Sequence, residues 1–328
     1  MNYTKLDLQP NTNSELNTLI EVSSSNLNSK IIEVSDDFFS PVTDLIKPTP
    51  PVSKKGQFGP NGALYDGWES RRHNSTYDYA IIKLGCPSAT IKFLDIDTTH
   101  FNGNEGQAAS VYGIYKPNED VVRINDESWF EILPVVKLGP SQQHLYKLET
   151  FSKPVTHLQL RMIPDGGIAR FRAYGEINAV WPDNLDEILD LASVYVGGKV
   201  VFTSDQHFGR GDNLILPGRG KDMGDGWETK RSRVEGHKDY VIIKLGEAGY
   251  LSNVEFDTCH FKGNFPAGVK LEGLYSPNKN PSSDYDSDDW KDLLDGIVKV
   301  GPHLQHYFQI TDDKNKYTHV RVTIYPGE

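Results

Sequence analysis

The chain has 328 residues and a formal net charge of −11, with 34 Lys and Arg against 45 Asp and Glu. That length predicts two domains, each large enough to bury a core without disulfides or metals. The acidic balance argues against a nucleic-acid partner, which needs clustered cations, and leaves room for a small anion held by one or two arginines.

Residues 1–14, MNYTKLDLQPNTNS, read as a polar N-terminal tail without order, with no apolar stretch of signal-peptide length. Apolar spacing then predicts a short helix over 16–22. The runs IIEV, YAIIKL, TIKFLDI, SVYGIY, VVKL, HLYKL and THLQLRMI predict short strands punctuated by Gly, Pro, Asn and Asp. The stretch KPTPPVSKKGQFGPNG after the first of them reads as an exposed loop. A linker is placed at 176–183, EINAVWPD, and a second short helix at 185–191. The series KVVF, YVIIKL, LSNVEFD, VKLEGLY, IVKV, HYFQI and THVRVTI follows, with a helical turn expected in DDWKDLL, residues 288–294. No apolar run approaches membrane-spanning length, so no membrane partner is expected. Cys86 and Cys259 do not occupy matching positions, and free thiols in a reducing, cytoplasmic setting are expected.

The second strand series repeats the first. DGWESRR (66–72) returns as DGWETKR (225–231), DYAIIKLG (78–85) as DYVIIKLG (239–246), and DTTHFNGN (97–104) as DTCHFKGN (257–264). Three ordered matches make the chain a tandem of homologous domains, 15–175 and 184–328. Many short strands at regular spacing predict an all-β fold, a pair of antiparallel sandwiches or jelly rolls with a few short helices. The first copy ends RMIPDGGIARFRAYGEI and the second VTIYPGE, so the last strand of the second domain is expected to be shortened and its neighbour's edge unpaired.

Three motifs kept in both copies carry candidate chemistry. In the first, Glu69 with Arg72, and Glu228 with Arg231, set a carboxylate and a guanidinium three residues apart. The arginine suits a substrate carboxylate, and a structural ion pair is the competing reading. In the second, alternation puts Leu94, Ile96, Thr98 and His100 on one strand face and Asp95 with Asp97 on the other. Val254, Phe256, Thr258 and His260 repeat this beside Asp257. His100 and His260 suit general acid–base work, against a reading in which each ties down a loop. Asp-x-x-His offers two metal ligands and no third follows from the sequence, so no metal site is assigned. Asn104 and Asn264 close this motif. In the third, GPSQQH and GPHLQH bring Gln143, His144, Gln305 and His306 as polar groups for a urea-like or carboxylate ligand, or as a hairpin turn. GRGKD lacks phosphate-loop spacing, and no G-x-S-x-G is present.

The ordered pairs SD-x-x-F, DGWE-x-(K/R)R, DYxIIKLG, DT-x-HF-x-GN and THxx(L/V) resemble the allantoicase family over nearly the whole chain from about residue 15. The resemblance implies two jelly-roll domains similar to galactose-binding-like β-sandwiches. It also implies hydrolysis of allantoate to ureidoglycolate and urea, in the cytoplasm, by a homo-oligomer. On that reading His100, His260, Asp97, Asp257, Glu69 and Glu228 form the catalytic set. Arg72, Arg231, Asn104, Asn264, Gln143, His144, Gln305 and His306 bind substrate. No cofactor is implied, and metal dependence stays open. Because both copies keep the polar set, one pocket per repeat is expected. The rival class is a jelly roll that binds a carbohydrate or other ligand without turnover, since a fold does not dictate function.

Overall fold

A computed structural model describes residues 1–7, 15–184, 186–286, 288–311 and 314–326. The chain divides into two compact units, Met1–Ala179 and Val180–Glu328. Both are built of strands and short 3-10 turns, and among the described residues no helix is long and apolar enough to cross a membrane.

The first unit begins with β1 (Tyr3–Leu6), β2 (Ile20–Glu21), β3 (Lys30–Val34), β4 (Phe58–Gly59), β5 (Gly62–Ala63), β6 (Trp68–Glu69) and β7 (Asp78–Lys83). It continues with β8 (Ala89–Asp97), β9 (Ala108–Ile114), β10 (Phe130–Lys137), β11 (Gln143–Leu148), β12 (His157–Ile163), β13 (Gly167–Ile168) and β14 (Arg170–Ile177). One five-stranded antiparallel sheet runs β1-β11-β8-β14-β2 and the other β10-β9-β12-β7-β3, while β6 with β13 and β4 with β5 form small ribbons. Ala80, Ile82, Leu158 and Leu160 of one sheet and Leu94, Ile96, Phe171 and Ala173 of the other are fully buried, as the inner faces of a sandwich require.

Register explains why the second face of β8 is buried too. Directly opposed residues of antiparallel strands share a face. Gln143 and Arg170 both oppose Asp97, and Arg172 opposes Asp95, so these polar groups form one row. The loop after Ile46 roofs the row. Its side chains are largely exposed, but the carbonyls of Lys47, Pro48, Thr49 and Pro50 accept hydrogen bonds from Arg170 and Arg172.

Residues 3–6 depart from the expected disordered tail. They form β1, an edge strand on β11 in register Tyr3↔Leu148 to Leu6↔Leu145, and the Tyr3 ring meets Tyr146 edge-on at 5.6 Å. An edge strand needs a ladder on one side only, so one aromatic contact and a few backbone bonds suffice for an otherwise polar segment. Residues 8–14 lie outside the described residues.

The second unit contains β15 (Lys199–Thr203), β16 (Asp239–Tyr250), β17 (Asn253–Asp257) and β18 (Gly268–Leu274). Then come β19 (Lys291–Asp292), β20 (Val298–Lys299), β21 (Gln305–Gln309) and β22 (Lys316–Tyr325). Its main sheet runs β15-β16-β22-β18-β19 with β20 also on β18, and β17 pairs β21 in a separate ribbon. Among the described residues no strand takes the place of β14, so β17 has one neighbour where β8 has two. Its exposure follows: Asn253, Glu255 and Asp257 are exposed, and Val254 and Phe256 only half-buried.

Short helices are present as 3-10 turns, Leu16–Thr18 among them, but the chain passes directly from that turn into β2. Residues 186–191 hold turns rather than a helix, Leu185 lying outside the described residues, and DDWKDLL supplies β19. One amphipathic turn does not meet the cost of helix nucleation, and these segments settle into turns or short strands instead. At the expected linker, β14 runs on to Ile177 and the Asn178 N–H donates to the Ser88 carbonyl.

Candidate active site

The DGWE turn is fixed first. In each unit the tryptophan is buried and its indole N–H donates to a backbone carbonyl, Trp68 to Asp36 at 2.7 Å and Trp227 to Asp205 at 2.8 Å. Gly67 has no room for a side chain: a Cβ there would lie 2.6 Å from Ala169 Cα and 2.7 Å from the Ile168 carbonyl. This close approach seats Glu69 on the β6–β13 ribbon, with Glu69 opposite Gly167.

Glu69 is buried, and its Oε1 accepts from Asn104 Nδ2 at 2.8 Å. Burial raises its pKa against the opposing pull of the Asn104 hydrogen bond and the Arg72 charge. The second unit builds the same pair, Asn264 Nδ2 to Glu228 Oε1 at 2.7 Å, with Glu228 half-buried. Asn104 is itself positioned by its loop, since its Oδ1 accepts the Asn102 N–H at 3.1 Å.

The arginines differ between units. Arg72 pairs with Asp165 at 3.2 Å and donates to the Gly103 carbonyl at 3.4 Å. Arg231 is exposed and has no hydrogen bond or ion pair among the described residues. It lines a shallow cleft of about 200 Å³ with Asp205, Lys230, Ser232, His237 and Asp239, where His237 Nε2 lies 2.9 Å from Asp239 Oδ2.

His100 and His260 do not continue the alternation of β8 and β17. Those strands end at Asp97 and Asp257, and both histidines take left-handed backbone, φ 72° and φ 69°. Each backbone N–H is then held by the following Gly-Pro turn, His100 by Ser141 Oγ at 3.1 Å and His260 by His303 Nδ1 at 2.8 Å. The His100 side chain is exposed, whereas His260 Nε2 lies 3.0 Å from the Gly220 carbonyl.

The remaining predicted residues hold the scaffold. Asp97 is buried in the polar row and accepts the Thr99 N–H at 2.7 Å. Asp257 accepts the Cys259 N–H and two hydrogen bonds from Arg219, at 2.7 and 2.9 Å. His144 is fully buried, with Nδ1 2.9 Å from the Ile96 carbonyl and Nε2 accepting the Gly139 N–H at 2.8 Å. His306 repeats this with Phe256 and Gly301. Both nitrogens of each ring therefore serve backbone. Gln143 and Gln305 donate to Asp95 and Glu255, one register step back from the turn.

Several groups escape the sequence reading. Asp165 sits in IPDGG, a stretch read only as a strand end. Asp95, Arg170 and Arg172 emerge from register. His237 occupies the position of Thr76, so repetition between the copies gives no signal for it.

Two homologous β-rich units, each holding a glutamate against an asparagine, with Arg72 beside Glu69 in the first, define a duplicated jelly-roll protein. The family model for the allantoicase repeat matches residues 20–178 and again 189–327. A probable allantoicase of Schizosaccharomyces pombe is 46% identical over 94% of this chain and 89% of its own length. The allantoicase of Neurospora crassa is 45% identical over 94% and 88%. The crystal structure of allantoicase from Saccharomyces cerevisiae superposes with a TM-score of 0.85 at 37% identity, covering 99% of this chain and 96% of that one. The chain belongs to the allantoicase family.

Proposed function

We propose that the chain hydrolyses allantoate to ureidoglycolate and urea, with one site per repeat, each built on the Glu–Asn pair and its neighbouring arginine. The observation that carries this reading is the duplicated pair itself, Glu69–Asn104 and Glu228–Asn264 at 2.8 and 2.7 Å. A carboxylate bonded to a carboxamide beside a cation is more than a loop needs.

Allantoate carries a carboxylate and two ureido groups on one carbon. Arg72 or Arg231 takes the carboxylate, in the first repeat by exchange with Asp165. Glu69, or Glu228 in the second repeat, gives a proton to the leaving urea nitrogen as the carbon–nitrogen bond breaks, assisted by the lone pair of the second ureido nitrogen. Water adds to the carbon, keeps one hydrogen as the new hydroxyl and returns the other to the carboxylate. The raised pKa of Glu69 supports its service as the acid. Asn104 and Asn264 hold the carboxyl in place, and His100 and His260 stand as second proton-transfer groups. Asp97, Asp257, Gln143, Gln305, His144 and His306 are assigned to positioning the strand ends and turns. The same reading places the enzyme in allantoin breakdown, in the cytoplasm and as a homo-oligomer, in keeping with the family resemblance.

The test is urea release from allantoate by Glu69→Gln, Glu228→Gln and the double variant. Each single variant is expected to keep the turnover of the other repeat, and the double to lose at least about 100-fold. A double variant of near-normal rate would overturn the assignment, and complete loss in one single variant would reduce it to one site.

A further inference from the structure

The second unit gathers Cys259, His260 and His303. One ligand-capable atom of each lies within 4.8 Å of the others, with Cys259 and His260 half-buried and His303 exposed. The first unit has Thr99, His100 and Ser141 at the matching positions. The backbone beneath is shared, with φ 72° at His100 and 69° at His260, and 45° at Ser141 and 54° at His303. Two side-chain changes on one loop geometry therefore separate a histidine alone from a cysteine–histidine–histidine set.

The surrounding bonds orient the ligand atoms. The His260 ring places Nε2 3.0 Å from the Gly220 carbonyl, so a proton on Nε2 leaves Nδ1 with its lone pair. His303 Nδ1 accepts the His260 N–H at 2.8 Å, so its lone pair faces the His260 backbone and turns to a cation only when that bond opens. The His260 ring, its Nε2 set against a backbone carbonyl, has the usual outer support of a metal-bound histidine. Arg219, doubly bonded to Asp257, places a guanidinium charge near the Cys259 sulfur.

We propose that Cys259, His260 and His303 form a binding site for a thiophilic divalent cation, zinc foremost, with three protein ligands and an open fourth position. Thiolate with two imidazoles is a zinc-type donor set, and three protein ligands leave the fourth position to water. Bonds of about 2.0–2.3 Å draw the three donors closer than they now stand, and the exposed His303 ring is the one free to move in. Occupied, the site ties His260 to the metal while His100 stays free, so the two repeats respond differently to a chelator.

The experiment uses the full chain, chelator-treated and reduced, titrated with Co²⁺ alone. One equivalent is expected to bind, with thiolate-to-cobalt absorption in the near ultraviolet and weak visible bands, and Zn²⁺ is expected to displace it. Cys259→Thr should abolish the thiolate band. His303→Ser should weaken binding by more than the roughly 10- to 100-fold that loss of an outer-shell partner costs. Both variants install what the first repeat carries on the same backbone, and a thermal melt confirms folding. Cys86→Ser, at a buried site in the first unit, should leave the spectrum unchanged. Absence of a thiolate band at saturating Co²⁺ would overturn the proposal, as would a band that survives Cys259→Thr or an affinity indifferent to His303→Ser.

Discussion

Asp95 and Asp97 stand two residues apart on one buried face of β8, and Asp95 Oδ1 has no hydrogen-bond partner. Burial, then the charge of Asp97, push the Asp95 carboxyl up to about 7, against the pull of Arg172. The folded pKa lies above the unfolded value of about 3.9, so the stability this group contributes is complete below about pH 4 and is lost as pH rises through 7. Asp95→Asn should remove that dependence, leaving the first unit about 2–4 kcal/mol more stable relative to the parent at pH 8 than at pH 4. Urea unfolding at the two pH values measures it, and an equal difference at both would show that folding does not shift the Asp95 carboxyl.

Arg170 is fully buried and bonds Asp66 at 2.7 Å, together with the Thr49, Pro50, Asp66 and Ala169 carbonyls. Despite the upward push of burial, the Arg170 hydrogen bond and charge hold Asp66 down to about 2. Arg170→Met should cost about 3–5 kcal/mol, because it strands a buried carboxylate. Adding Asp66→Leu should recover part of the loss, which a double-mutant cycle on unfolding midpoints will read.

His144 separates support from substrate contact. Burial lowers its pKa, so the ring stays neutral and Nε2 can accept the Gly139 N–H. His144→Ala should lower stability by about 1–3 kcal/mol, as expected for unpaired backbone groups, and leave KM for allantoate within about twofold. A large KM change in a folded variant would instead place the ring against substrate.

Arg72 and Arg231 should differ in what their loss removes. Arg231→Ala should raise the KM of the second site by about 10- to 100-fold, the range of a charge-assisted hydrogen bond, without lowering the melting temperature. Arg72→Ala should also destabilise the first unit, because Asp165 loses its ion pair. Kinetics of each variant in a background where the other repeat carries Glu→Gln will isolate the sites.

The duplicated strand pattern was legible because each short β-branched run has a counterpart, and turn residues separate them in the same order. The Glu69–Asn104 contact was half legible: both residues stood out as kept twice, but their pairing depends on the loop that returns Asn104 to β6. His100 was misplaced because alternation was carried past Asp97, where the backbone turns left-handed. Asp95 and Arg172 were hidden because neither is distinctive alone, and only the β8–β14 register sets them side by side. Cys259 stands where the first copy has Thr99, a change with no meaning until the fold brings His303 beside it from the GPHLQH turn.

The single partner of β17 has a dynamic consequence. β8 is zipped on both sides, so exchange of its amide hydrogens requires the first unit to open. In β17 the amides facing away from β21 have no ladder partner among the described residues, and the two-stranded ribbon itself is a weak cooperative element. Deuterium should enter β17 well before β8, so that two stretches of matching ancestry keep time on different clocks.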